Sequence, residues 1–64
     1  MNIAKNVKHY RELAGLNQTE LGEKVSCSGS MITYIEAGSK LPSVALLANI
    51  AKALDVAMDD LVAD

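Results

Sequence analysis

Residues 17–36 read NQTELGEKVSCSGSMITYIE. Two short stretches with helical spacing flank a three-residue break, Ser26-Cys27-Ser28. In the first stretch, Asn17 can accept a hydrogen bond from an orphan backbone N–H. Glu20, three residues on, completes a capping-box pair. Leu21 and Val25 stand four apart and share one helical face. In the second stretch Ser28 is the expected N-cap, Ile32 and Ile35 face inward, and Gly38 closes the helix. Leu21, Val25, Cys27, Ile32 and Ile35 supply the apolar pins. Two helices joined by so tight a turn cross at a large angle and present the second one outward, the geometry of a helix-turn-helix.

The flanking sequence supplies three more helices. Upstream, Ile3, Val7, Tyr10 and Ala14 are spaced 4, 3 and 4, which makes one apolar stripe. Asn2 is the expected cap of that helix and Gly15 its left-handed terminator, with Leu16 packing under the turn. Downstream, Leu41-Pro42-Ser43 reads as a loop ending in another N-cap, because Pro42 cannot continue a helix and biases Leu41 towards extended backbone. A fourth helix is expected from about Val44 to Leu54, with Leu47, Ile50, Ala51 and Leu54 on its inner side and Asp55 at its end. A last short helix carries Met58, Leu61 and Val62, with Asp59 and Asp60 near its N-terminal dipole. No segment alternates with period two, so no sheet is expected. The fold class is therefore all-α, with five helices in a single domain over residues 1–64.

Composition narrows the functions. Half of the 64 residues are hydrophobic, but the only aromatic residues are Tyr10 and Tyr34, so the core must be aliphatic. A domain this small leaves much of its surface in water and is only marginally stable. No apolar run approaches the roughly 20 residues of a membrane span, and no signal-peptide pattern opens the chain. One cysteine, Cys27, makes neither a disulfide nor a metal framework. His9 has no catalytic partner pattern. No nucleophile–base pair, metal cluster or phosphate loop is visible, so neither an enzyme nor a cofactor or metal is expected. These features point to a cytoplasmic protein held together by packing. The net charge is −2 but unevenly spread. Residues 1–40 hold five cations against four acids, whereas residues 41–64 hold Lys52 against four aspartates. A polyanion would meet the first part, with the acidic tail turned away.

The longer segment GLNQTELGEKVSCSGSMITYIEAGSKLPSVALLANIAKALDV, residues 15–56, resembles the phage-repressor and Cro-like (Cro/C1-type, XRE-type) helix-turn-helix family. The resemblance rests on the joint spacing of Gly15-Leu16, Gln18, Glu20-Leu21, Lys24, Ser28, Ile32, Ile35-Glu36, Gly38, Pro42-Ser43, Leu47, Ile50-Ala51, Ala53-Leu54 and Val56. It implies a lambda-repressor-like five-helix domain, bacterial or phage-encoded. It also implies a transcriptional regulator, a repressor in kind, that docks its third helix in the major groove of double-stranded DNA. Carried over by position, Gln18 contacts a phosphate from a helix N-terminus. Ser28 caps the third helix and touches backbone phosphate. Gly29, Ser30, Met31, Thr33 and Tyr34 form the exposed reading face, and Lys40 approaches phosphate. Arg11 pairs with Glu36 as a structural bridge. A homodimer interface is implied at Val56, Ala57, Met58, Leu61 and Val62.

The chain departs from the family pattern in places. The usual base readers Arg, Lys, Asn and Gln are absent between Ser28 and Glu36. Ser26 stands where the family's turn carries Gly, at a position that takes left-handed backbone. Gly22 replaces Ala, and Ala57 replaces a capping Ser or Thr. A second reading therefore stays open at this level: a protein-interaction module, or an antitoxin-type partner-binding protein, with weak or no DNA readout.

Overall fold

The computed structural model describes residues 1–64. It contains five helices and no strand: α1 (Ile3–Leu13), α2 (Gln18–Lys24), α3 (Gly29–Glu36), α4 (Val44–Leu54) and α5 (Met58–Val62). The helix starts follow from short polar side chains. Asn17 Oδ1 accepts from the Glu20 N–H at 2.7 Å while Glu20 Oε1 accepts from the Asn17 N–H at 2.8 Å, a reciprocal capping box. Ser28 Oγ accepts from Met31 N at 3.0 Å, and Ser43 Oγ from Leu46 N at 3.1 Å. Each satisfies a backbone donor that the first helical turn leaves orphaned. Gly15 (φ +74), Gly38 (φ +78) and Asp55 (φ +57) end α1, α3 and α4 in left-handed backbone.

Two expectations at the ends of α1 need correction. Asn2 does not cap α1: its side chain makes no capping bond. Asn6, one turn in, ties α1 to the end of α5 instead, its amide donating to the carbonyls of Leu61 at 3.0 Å and Ala63 at 2.7 Å. Ala14 does not extend the apolar stripe; it is exposed, and Arg11 occupies the inward position at 8% exposure. Tyr10 is half-buried at the edge.

Eleven residues from all five helical segments form one core: Ile3, Val7, Leu21, Val25, Ile32, Ile35, Leu47, Ile50, Ala51, Leu54 and Leu61. No aromatic ring enters it. Burying side chains of this size contributes roughly 1.5–3 kcal/mol each, against the entropy of ordering the chain. α4 is the most apolar element and holds four of the eleven. α1, α2 and α5 pack against it, and α3, packed on α2 and α1, makes the outward-facing corner with α2.

Candidate nucleic-acid interface

α2 and α3 meet with almost no side-chain padding. A methyl group at Gly22 would lie 2.8 Å from the Cys27 carbonyl oxygen, and one at Gly29 would lie 3.0 Å from Thr19 Oγ1. The turn between them is closed by the Cys27 N–H donating to the Gly22 carbonyl at 2.8 Å. Ser26 supplies the sharp change of direction at φ +59, a left-handed conformation that costs a non-glycine residue about 1 kcal/mol. The Cys27 thiol is half-buried beneath this turn, and desolvation pushes its pKa above the ordinary value.

A polar link runs from α1 to the outer side of α3. Arg11 Nε and Nη2 donate to the two carboxylate oxygens of Glu36 at 2.6 and 3.0 Å, and Nη1 donates to the Leu16 carbonyl at 2.8 Å. Both partners of this ion pair are nearly solvent-free, with side chains 10% and 4% exposed. The hydrogen bond to Glu36 raises the Arg11 pKa, partly opposed by desolvation. No buried side-chain polar atom is left without a partner. The bidentate geometry fixes the end of α3 against α1. Gln18 Nε2 donates to Glu36 Oε1 at 3.1 Å, and Gln18 Oε1 accepts from Thr33 Oγ1 at 2.6 Å. The amide thus bridges the scaffold and α3, with one N–H of its Nε2 to spare.

The face that α3 turns to solvent consists of Ser30, Thr33 and Tyr34. Two more residues expected on it are only partly exposed. Gly29 is half-buried against Thr19, and Met31 is half-buried against the core. They sit on the flanks of α3 that border α2 and the bundle. Ser28 stays exposed while capping α3. Lys40 is exposed, its ammonium 5.4 Å from the centre of the Tyr34 ring, which is itself half exposed. The Ser39 and Lys40 N–H groups both donate to the Tyr34 carbonyl, at 2.9 and 3.3 Å, folding the loop back on the end of α3.

The residues expected at a dimer face divide. Leu61 is fully buried in the core of its own chain, so it cannot belong to an outer surface. Val56, Met58 and Val62 are half-buried at the edge of that core, and Ala57 is exposed. The amide of Asn6 and the Tyr34–Lys40 pairing were invisible to sequence reasoning. A polar residue within a helix has no spacing signature, and a loop lysine finds its ring only through the fold.

The helix-turn-helix family model matches residues 7–61, most of the chain. The chain belongs to the Cro/C1-type helix-turn-helix family. Within this family, it is 30% identical over 57 residues to the HTH-type transcriptional regulator YazB of Bacillus subtilis (strain 168), spanning 89% of this chain and 83% of that protein. The master regulator for biofilm formation SinR, solved in complex with DNA, is 31% identical with a TM-score of 0.89. The match covers 95% of this chain and 98% of that one. The P22 c2 repressor bound to a synthetic operator shares the fold, with a TM-score of 0.89 at 24% identity over 95% of this chain and 92% of the repressor chain. No helix is long and apolar enough to cross a membrane.

Proposed function

We propose that this helix-turn-helix protein is a sequence-specific DNA-binding transcriptional regulator, acting as a repressor, that lays α3 in the major groove. The observation that carries this reading is the outward face of α3. Ser30, Thr33 and Tyr34 stand exposed on a helix that Arg11, Glu36 and Gln18 hold rigidly against the scaffold. The relative SinR, 31% identical, was solved with DNA on the same fold. Gln18 at the first position of α2 offers its remaining amide N–H, with the helix N-terminus, to a phosphate. Ser28 and Lys40 flank α3 as further phosphate contacts. Base discrimination falls to Ser30, Thr33 and Tyr34. Such a protein works in the cytoplasm of a bacterium, or of the host of a phage that encodes it, and needs no cofactor.

The chain acts as a homodimer through Val56, Ala57, Met58 and Val62. Two copies place their α3 helices about 34 Å apart, one turn of duplex, and read a palindromic site. Titration of labelled duplexes over a salt series tests the reading. Affinity should fall steeply between about 50 and 200 mM salt as phosphate-bound counterions are released. Tyr34→Ala should weaken the preferred duplex while shifting stability by less than about 0.5 kcal/mol, as expected for a surface substitution. Lys40→Ala should weaken all duplexes alike and lower the salt slope by about 1. No binding to any duplex at low salt rules the reading out.

One observation favours a second reading, in which α3 engages a protein. Arg, Lys, Asn and Gln are absent from residues 28–36, and the net charge is −2. A relative solved as the SinR–SinI protein complex is 30% identical over 97% of this chain, with a TM-score of 0.90. Under that reading the salt series shows no duplex binding.

A further inference from the structure

The hydrogen bonds between α1 and the outer face of α3 have a direction, and the direction ends on an atom that faces solvent. Arg11 carries donors only. The Glu36 carboxylate that receives them is an acceptor only. Gln18 lies 3.1 Å from that carboxylate, so its amide must present Nε2 there rather than its oxygen. This orientation turns Oε1 towards Thr33, 2.6 Å away. An amide oxygen only accepts, so the Thr33 hydroxyl donates. Its other close neighbour, the Gly29 carbonyl at 3.0 Å, is also an acceptor. Whichever of the two it serves, the single hydroxyl proton points inward. Thr33 is exposed, and what its oxygen offers to the outside is lone pairs alone.

We propose that Thr33 is a specificity-determining residue that reads base pairs strictly as a hydrogen-bond acceptor. It selects a base edge presenting an amino group, adenine N6 or cytosine N4. A free threonine hydroxyl rotates to serve donors and acceptors alike, and so discriminates little. Here the buried ion pair removes that freedom. A guanine O6 or thymine O4 placed against Thr33 meets lone pairs with lone pairs, unless the proton leaves Gln18 and strands its amide oxygen. The inference rests on the DNA-binding reading above and adds the chemical sense of one contact.

The test uses the full chain and begins with selection of duplexes from a random pool by the wild type, Thr33→Val and Thr33→Ser. Valine keeps the shape without the oxygen, and thermal unfolding verifies its fold. The expected result is one position whose preference falls roughly five- to tenfold in Thr33→Val and persists in Thr33→Ser. At that position the amino group is then deleted, with purine in place of adenine or 2-pyrimidinone in place of cytosine. Wild-type affinity should fall about fivefold, and Thr33→Val should be indifferent. If no position responds to Thr33→Val, or amino deletion leaves wild-type affinity unchanged, the acceptor role is overturned while DNA binding stands. If the wild type retains no duplex at low salt, both are overturned.

Discussion

At the scale of single residues, four side chains stand in unfavourable settings, for two different reasons. Ser26 is held in left-handed backbone, where its Cβ crowds the neighbouring carbonyl. Ser26→Gly should raise stability by up to about 1 kcal/mol, read as a higher Tm in thermal unfolding. Asp55 shares that conformation, but aspartate tolerates it better, so Asp55→Gly should gain less. Arg11 and Glu36 are nearly buried charges whose desolvation their mutual bonds offset. Glu36→Gln leaves the guanidinium short of a charge partner and should cost about 3 kcal/mol. The paired change of Arg11→Met with Glu36→Leu should recover most of that loss in denaturant unfolding. The raised pKa of Cys27 keeps the thiol protonated at neutral pH. Alkylation should be slow near pH 7 and quicken only above the ordinary thiol range. The Arg11–Glu36 pairing was legible through the family pattern. The double use of Gln18 was not, because it depends on which end of an amide faces a carboxylate.

At the scale of elements, start signals read well where a short polar residue directly precedes an apolar period. Asn17, Ser28 and Ser43 all cap as their positions imply. Asn2 has the same composition signal but not the backbone: at φ −130 and ψ 55 it makes no side-chain cap. A cap is a matter of dihedral angles as much as of residue type. α5 lacks a side-chain cap altogether, because Ala57 has no acceptor to offer. Only half of a capping box remains, Asp60 Oδ2 accepting from the Ala57 N–H at 3.0 Å. Ala57→Ser would complete it and should stabilise the domain by about 1 kcal/mol. Amide hydrogen exchange in 58–62 should slow with it.

At the scale of the whole molecule, eleven aliphatic residues hold a body of 25 × 23 × 20 Å. The apolar periods in the sequence predicted the inner faces of α2, α3 and α4 well, since periodicity reports which side of a helix meets a core. They said less about the outer face of α3. Gly29 and Met31 are partly covered by neighbours that no local pattern encodes. The same limit applies to the α5 region, where Leu61 proves to be core and Val56, Met58 and Val62 form an apolar rim. If copies pair through this rim, Val62→Lys should shift sedimentation towards monomer at micromolar concentration. Specific duplex affinity should then drop with it, while the fold persists.

The bare contact of Gly22 and Gly29 with the neighbouring backbone and Thr19 has a consequence for how new specificities arise. Alignment of α3 on α2 is carried by main chain, by inward groups and by the Thr33 hydroxyl on Gln18, so the other two outward positions, Ser30 and Tyr34, contribute nothing to it. Ser30 and Tyr34 are therefore exchangeable parts. Replacing them with Gln or Arg should move stability by less than about 0.5 kcal/mol while rewriting which duplex is preferred. A lineage built on this chassis can change its vocabulary without rebuilding its grammar.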